Sequence, residues 1–278
     1  MFRKRRMIQV KTPEQVARMR EAGLVVGRTL EVLRDAVAPG LRTRDLDAIA
    51  EESIRSLGAV PSFKGYHGFP ATICASVNDE IVHGIPGDRK LVEGDIVSLD
   101  CGAIVDGWHG DAAITVPVGE VDPALVELMT ACENAMWHGL AAARPGARLT
   151  DISHAVETAI RARGNYGIVE EYVGHGIGTE LHQEPQVPNY GKPGRGPKMR
   201  PGIVLAIEPM VNAGRRHNRL LDDGWTVTTA DGRPSAHFEH TVAVTAEGPW
   251  ILTALDGGRA GLAGLGVSTR GTEGADVG

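Results

Sequence analysis

The sequence has few cysteines, no long apolar run and little excess charge. Its three cysteines (Cys74, Cys101 and Cys132) are odd in number and lack CxxC spacing, which argues against a disulfide framework and for a reducing compartment. No apolar stretch approaches the length of a membrane span, and no apolar segment follows the basic start as in a signal peptide. A net charge of −6 does not indicate general nucleic-acid or membrane binding. We therefore expect a cytoplasmic protein with neither a nucleic-acid nor a membrane partner.

The two ends of the chain differ from the rest. Residues 1–11 contain the basic run Arg3-Lys4-Arg5-Arg6, for which a solvated arm is a better interpretation than a nucleic-acid or targeting signal. Residues 256–278 are rich in glycine and have no aromatic residue or apolar periodicity, so they predict a flexible tail. Residues 12–255 remain, and they are enough for one catalytic-size domain with an ordinary core.

The predicted helices come in two similar pairs. Long helices begin at Thr12-Pro13 and Asp122-Pro123, and Pro-Gly pairs end them; shorter helices follow at about residues 45–57 and 151–163. Residues 39–58 align without gaps with residues 145–164, at an offset of 106. At nearly the same offset, two apolar runs each follow a glycine and end in a carboxylate, Asp100 and Glu208. Two such matches indicate an internal duplication, and packing around an approximate twofold axis would bring these two acids together.

Two carboxylates are predicted on one face of a β-hairpin. Asp106-Gly107 separates two strand-like runs, which is a strong signal for a two-residue hairpin turn. If Val105 pairs with Trp108, Asp100 and Asp111 are diagonal neighbours on one face, roughly 7–8 Å apart at the backbone. The surrounding residues are apolar, as in a buried sheet, where two carboxylates need a proton or a cation between them. A solvated hairpin face is the alternative; we favour a metal ion.

Three further candidate ligands lie in the second half. His175 stands among glycines that leave its imidazole unshielded, although a lone histidine is more often structural than ligating. Glu208 ends one apolar run and Glu239 begins another, and an acid within a strand-forming run is unusual. With Asp100 and Asp111 the set holds four carboxylates and one imidazole, which suits a hard or borderline divalent ion rather than a thiolate zinc site. Four negative charges would neutralise two such ions, and a pair of ions activates a shared water for hydrolysis.

Short motifs in order and with matching spacing show that the sequence resembles the type I methionine aminopeptidases. The motifs are Gly65-Tyr-His-Gly-Phe-Pro70, Val82-His-Gly-Ile-Pro86, Ser98-Leu-Asp100, His109-Gly-Asp111, Gly174-His-Gly-Ile-Gly178, Leu181-His-Gln-Glu-Pro-Gln-Val187, Ile207-Glu-Pro-Met-Val-Asn-Ala-Gly214 and Phe238-Glu-His-Thr241. The resemblance covers about residues 12–255. It implies the α+β pita-bread fold of the creatinase and aminopeptidase family, in which two pseudo-symmetric halves form a curved antiparallel sheet with flanking helices.

The activity that this resemblance implies is metal-dependent removal of the initiator methionine from nascent proteins with a small second residue. The enzyme would be a monomer with two divalent ions (cobalt, manganese, iron or zinc), and docking of the basic arm on the ribosome is compatible with it. Asp100 would hold one ion through both oxygens, and His175 would bind the other. Asp111 and Glu239 would bridge the ions, while Glu208 would both ligate and move the proton of the attacking water.

Two histidines and an apolar pocket complete the implied site. His83 would contact the scissile amide, and His182 would steady the tetrahedral oxyanion. The pocket for the methionine side chain would be formed by Tyr66, Phe69, Cys74, Leu181 and Trp225. Phe69 is often tyrosine in the family and Leu181 is often phenylalanine, but both remain apolar, so a thioether can still be buried. Backbone oxygens near Asn78 and Ser235 would hold one monovalent cation.

Two other functions are compatible with the same scaffold. A proline-directed peptidase such as a prolidase would usually carry a large domain ahead of the catalytic one, for which this chain has no room. A non-catalytic binding module would have lost metal ligands, whereas all five acidic and histidine positions are filled here. Both readings are weaker than the aminopeptidase.

Overall fold

The structure is a computed structural model that describes residues 7–267 and residue 269. In chain order, its helices are α1 (Pro13–Ala36), α2 (Thr43–Ser56), α3 (Pro123–Ala142), α4 (Leu149–Arg163) and α5 (Arg259–Ala263). The strands are β1 (Val60–Pro61), β2 (Ile73–Val77), β3 (Glu80–Val82), β4 (Ile96–Val105), β5 (Trp108–Pro117), β6 (Gly167–Ile168), β7 (Gly174–Gly176), β8 (Gln183–Val187), β9 (Val204–Ile207), β10 (Met210–Asn212), β11 (Asn218–Leu220), β12 (Val227–Thr229), β13 (Ser235–His237), β14 (Glu239–Thr245) and β15 (Gly248–Ile251). The basic run at residues 3–6 lies outside the described residues.

The predicted helix pairs are present, and the two shorter helices begin earlier than predicted. Helices α2 and α4 begin two residues before Asp45 and Asp151. Each aspartate is the third residue of its helix, and its Oδ2 accepts the backbone N–H of the residue ahead of the helix. These hydrogen bonds are 3.0 Å long from Arg42 and 2.7 Å from Arg148. The prediction was late because a capping box places its acid at the third helical position, not at the cap.

The main sheet is antiparallel and joins the two halves of the chain. Its strand order is β1-β4-β5-β14-β9-β7-β8, with β2 also on β4 and β15 also on β14. Strand β14 pairs with β5 from the first half on one side and with β9 from the second half on the other. Each half also has an isolated bridge at the start of its shorter helix, Arg42 to Lys90 and Arg148 to Lys198. The predicted pita-bread architecture of two similar halves around one antiparallel sheet is confirmed.

Glycines and small residues let the helices approach the sheet closely. Helix α1 crosses the β4–β5 hairpin at Gly23 and Gly110, where a Cβ on Gly110 would lie 2.7 Å from the Gly23 nitrogen. Apolar side chains of α1, α2, α3 and α4 then pack with the strands into one large buried cluster. Cys101 and Cys132 are free thiols within it, and Cys74 is a buried free thiol in a smaller neighbouring cluster. Among the described helices, none combines the length and the apolar character needed to cross a bilayer.

The start of the predicted flexible tail is ordered. Residues 256–267 include helix α5, whose Leu262 is fully buried in the main core. Gly261 lies against the ring of Trp137, so closely that a Cβ would be 2.4 Å from the ring. The glycines interrupt the apolar pattern from which a helix would have been predicted. They also allow this segment to pack closely against Trp137. The rest of the predicted tail, apart from Thr269, lies outside the described residues.

Candidate active site

The β4–β5 hairpin has the register that the sequence predicts. Val105 pairs with Trp108 and Gly102 with Asp111, so Asp100 and Asp111 lie on the same face of the sheet. Asp106 and Gly107 form the turn, both with positive φ, as expected for an Asp-Gly hairpin. The two predicted carboxylates are therefore diagonal neighbours.

The pairing of the next strands brings the other candidate ligands to the same face. Ala113 pairs with Asp100 on one side and with Glu239 on the other. Two residues beyond Glu239, Thr241 pairs with Ala206, which pairs with His175. Because paired residues share a face and so do alternate residues of one strand, Glu239 and His175 face the same way as Asp100 and Asp111.

The side chains converge on one point, and several of their atoms have no protein partner. His175 Nε2 lies 3.4 Å from Glu208 Oε1 and 3.8 Å from Asp111 Oδ2. Single ligand atoms from Asp111, His175 and Glu239 lie within 4.8 Å of one another. Asp100 Oδ1, Asp111 Oδ1 and Glu239 Oε1 are buried without a hydrogen-bond partner in the protein. Buried carboxylate oxygens are normally hydrogen-bonded or bound to a cation, so this donor set fits a divalent metal ion.

Electrostatics supports the same assignment. Burial, followed by the charge of neighbouring carboxylates, raises the pKa of Asp111, Glu208 and Glu239 well above the ordinary range. Burial also raises the pKa of Asp100. The folded protein therefore places four carboxyl groups where their charges are unfavourable unless cations are present. No lysine or arginine side chain forms an ion pair with these four groups among the residues described.

His175 is held in the orientation and tautomer of a ligand. Its Nδ1 lies 3.0 Å from the carbonyl oxygen of Gly176 and donates to it, which leaves the lone pair of Nε2 facing the carboxylates. Burial lowers the pKa of His175 to about 3, so the imidazole is neutral near neutral pH. A neutral imidazole with an outer hydrogen bond to a carbonyl is the usual form of a histidine ligand.

The two other predicted histidines lie at the edge of this cluster. The ring of His182 lies 4.3 Å from that of His175, and its Nδ1 is 2.9 Å from the hydroxyl of Tyr66. His83 has a positive φ of 59° and stands edge-on to the rings of Tyr172 and Trp225. Burial lowers the pKa of both histidines, that of His83 to about 4. Both are therefore neutral hydrogen-bonding groups.

One cavity of about 470 Å³ is lined by every residue predicted for catalysis, substrate binding or the divalent ions. The acidic cluster forms part of its lining. An apolar wall beside the cluster includes Tyr66, Phe69, Cys74, Leu181 and Trp225, of which Cys74 pairs with Asp100 across β2 and β4. The rings of Phe69 and Trp225 meet edge to face at 5.1 Å, which fixes the shape of this wall. The cavity therefore accepts a group with an apolar end and a polar end beside the cluster.

Asn78 and Ser235, where a monovalent cation is expected, lie together outside this cavity. The N–H of Ser235 donates to the carbonyl of Asn78, and Asn78 has a positive φ of 57°. Ser235 Oγ also donates to Asn212 Oδ1 at 2.8 Å.

Several cavity residues were missed by the sequence analysis. They are Phe63, His67, Val82, Tyr172, Val173, Met210 and His237. His237 matters most, because its Nε2 lies 3.9 Å from both Glu208 Oε2 and Glu239 Oε2. A signal was available, since His237 precedes Glu239 by two residues in a strand-forming run and so shares its face.

Comparison with known proteins identifies the family. Residues 17–246 match metallopeptidase family M24. Methionine aminopeptidase 1 of Bacillus subtilis is 52% identical over 249 residues, which are 90% of this chain and all of that protein. Methionine aminopeptidase 1 of Mycobacterium tuberculosis is 52% identical over 258 residues, 91% of this chain and 97% of that one. The crystal structure of the methionine aminopeptidase of Thermotoga maritima superposes with a TM-score of 0.87 at 43% identity, covering 89% of this chain and all of that one. The chain therefore belongs to metallopeptidase family M24.

Proposed function

We propose that the chain is a dinuclear methionine aminopeptidase that removes the initiator methionine from nascent proteins with a small second residue. The observation that carries the proposal is the convergence of four carboxylates and one imidazole on one side of an apolar-walled cavity. The relatives that are half identical over nearly their whole length carry the name methionine aminopeptidase. The ligand set is Asp100, Asp111, His175, Glu208 and Glu239.

The cavity explains the preference for methionine. An unbranched thioether side chain fits the apolar wall of Phe69, Cys74, Leu181 and Trp225, where burial favours it over a polar side chain. The substrate's backbone then lies against the acidic side of the cavity. A cavity of about 470 Å³ has room for one large side chain and the start of a peptide, which suits removal of a single residue.

Two divalent ions held by the ligand set would supply Lewis-acid chemistry: they would lower the pKa of the attacking water and polarise the scissile carbonyl. Glu208 accepts the proton of that water, because its side chain keeps some exposure to the cavity (14%) whereas that of Glu239 is 2% exposed. The hydroxyl of Tyr66 lies 2.9 Å from Nδ1 of His182. With the hydroxyl as donor, Nε2 of His182 carries the proton and can donate to the developing oxyanion. The neutral imidazole of His83, which also lines the cavity, contacts the scissile amide.

The finer assignments belong to the same proposal. We place the enzyme in the cytoplasm as a monomer, with cobalt, manganese, iron or zinc as its divalent ion. A monovalent cation would be held by backbone oxygens near Asn78 and Ser235. The ribosome is the partner that presents the substrate, and deletion of residues 3–6 followed by ribosome co-sedimentation tests a docking role for that arm. Unchanged co-sedimentation would show that residues 3–6 have no role in docking on the ribosome.

Metal removal and substrate choice together test the proposal. Dialysis against a chelator should abolish cleavage of Met-Ala-Ser, and adding Mn²⁺, Fe²⁺ or Co²⁺ should restore it. An Xaa-Pro dipeptide should be cleaved poorly under the same conditions. Cleavage that survives thorough chelation contradicts a metal mechanism, and a preference for Xaa-Pro indicates a prolidase. Protein that binds metal but cleaves neither peptide would indicate a non-catalytic module.

A further inference from the structure

We propose that His237 is an additional metal ligand, which completes the ion position between Glu208 and Glu239 and gives the centre a second imidazole. The inference rests on the proposed dinuclear function and adds to the five ligands assigned there. Ligand atoms from Glu208, His237 and Glu239 lie within 4.8 Å of one another and form a group distinct from that of Asp111, His175 and Glu239.

The distances at His237 fit a shared ion better than a hydrogen bond. Its Nε2 lies 3.9 Å from Glu208 Oε2 and 3.9 Å from Glu239 Oε2, both beyond hydrogen-bond range. Two ligand atoms that each stand about 2.1 Å from one cation are separated by at most about 4.2 Å. A separation of 3.9 Å therefore allows one ion to contact His237 together with Glu208, and likewise His237 together with Glu239.

The burial of His237 requires a partner for its ring. The residue is 1% exposed, and Nε2 has no hydrogen-bond partner in the protein. Leaving a polar ring nitrogen unsatisfied in the interior is unfavourable, and a nitrogen directed at two carboxylates has a cation as its natural partner. A solvated surface histidine would show neither property.

The backbone fixes the imidazole in this position. The N–H of His237 donates to Thr115 Oγ1 at 2.9 Å, and that hydroxyl donates to the carbonyl of His237 at 2.8 Å. His237 also pairs with Met210 in the β10–β13 ladder, two residues after Glu208. His237 and Glu239 thus lie in β13 and β14, and Glu208 lies in the short link between β9 and β10, so a rigid frame holds all three side chains.

A second imidazole changes which metal the centre prefers. It adds a nitrogen ligand without altering the four negative charges that neutralise two divalent ions. Nitrogen ligands favour Fe²⁺, Co²⁺ and Zn²⁺ over Mn²⁺, which prefers oxygen. The chain should therefore discriminate more strongly for Co²⁺ over Mn²⁺ than a variant without this imidazole.

Paramagnetic proton NMR of the Co²⁺-loaded protein counts coordinated histidines directly. The native protein with two Co²⁺ should show two strongly shifted, exchangeable imidazole N–H signals. His237→Gln and His175→Gln should each leave one, and His83→Gln, a cavity histidine outside both ligand groups, should leave both. A single signal in the native protein that persists in His237→Gln overturns the proposal. A native count of one overturns the proposal even if a variant fails to fold.

Calorimetric titration measures metal affinity, which would not change if His237 only formed hydrogen bonds. Glutamine keeps a donor for the carboxylates but is a poor ligand, so His237→Gln should weaken the second Co²⁺ at least about tenfold and Mn²⁺ less. Equal affinities for both metals in native protein and variant overturn the inference. A protein that binds no ion at all contradicts the proposed function itself, whereas two ions with one coordinated imidazole contradict only the role of His237.

Discussion

Glu208 keeps more of its side chain exposed than Glu239 does, 14% against 2%, and we propose it both as a ligand and as the proton acceptor. Substituting glutamine keeps its size but removes both a ligand charge and the proton acceptor. We expect Glu208→Gln to lower kcat on Met-Ala-Ser by about 10²–10⁴-fold. Steady-state kinetics with saturating Co²⁺ measures this. A variant that binds two ions and retains the native kcat would move the proton-accepting role to another residue.

The hydroxyl of Tyr66 is expected to act through His182 rather than on the substrate. Tyr66→Phe removes the 2.9 Å hydrogen bond that selects the tautomer of His182. One such bond contributes about 1–1.5 kcal/mol, so kcat should fall by about tenfold while KM changes little. The matched control is Tyr190→Phe, since Tyr190 does not line the cavity. A raised KM at constant kcat would show that the hydroxyl binds substrate instead.

Residue identity predicted the first ligand group but only part of the second. Asp100, Glu208 and Glu239 stand out because each lies at the end or start of an apolar run, Asp111 because the hairpin places it beside Asp100, and His175 because glycines surround it. His237 has neither mark: it lies between a small residue and Phe238, where a core histidine is the ordinary interpretation. Its spacing of two residues from Glu239 was a signal for that acid, but the pairing of β13 with β10, in which His237 lies opposite Met210, is what brings it near Glu208.

At the scale of elements, the sequence predicted best those features that a short local motif determines. The Asp-Gly turn predicted the register of the β4–β5 hairpin to the residue, because a two-residue turn is compatible with only one pairing of the two strands. Helix starts were less well predicted, since an aspartate serves equally as a cap or as the third residue of a capping box. The short strands β10 and β13 were not predicted because three residues carry too little periodicity.

The contact of α1 with the end of the chain depends on Gly23. A Cβ there would lie 2.1 Å from the carbonyl oxygen of Leu252, which is backbone and cannot rotate away. Alanine gains up to about 1 kcal/mol in helix propensity, but overpacking of this kind costs about 1–3 kcal/mol. We therefore expect Gly23→Ala to lower the free energy of unfolding, measured by urea denaturation.

Gly264→Ala is the control for this substitution. Gly264 lies at the end of α5 with φ −66°, and nothing stands within 4 Å of an added Cβ. Its effect should remain within about 0.5 kcal/mol, as for ordinary surface changes. Equal stabilities of the two variants would mean that α1 can shift away from Leu252.

At the scale of the whole molecule, proton binding and metal binding compete. The carboxyl groups of the cluster have raised pKa values in the folded protein, so the folded state holds protons that the unfolded chain has released. The free energy of unfolding of the metal-free protein therefore falls as the pH rises from the ordinary pKa of these carboxyl groups towards their raised pKa. The buried histidines, with lowered pKa values, have the opposite effect, but only below about 6.5, their ordinary pKa.

Between about pH 6.5 and 8, the carboxyl groups should therefore dominate. We expect the unfolding free energy of chelated protein to decrease with pH across this window. Stabilisation by Co²⁺ should increase, because fewer protons must be displaced. Urea denaturation with and without Co²⁺ measures both trends, and calorimetry in two buffers of different ionisation enthalpy measures the released protons. A metal effect independent of pH would contradict the assignment of these acids as ligands.

The position of β14 between the two halves determines how the candidate metal site is assembled. Its Glu239 completes a row begun by Asp100 in the first half, while His175 and Glu208 come from the second. Neither half of the chain alone would supply the complete set of donors. The complete set of donors therefore meets only where β14 pairs with both β5 and β9.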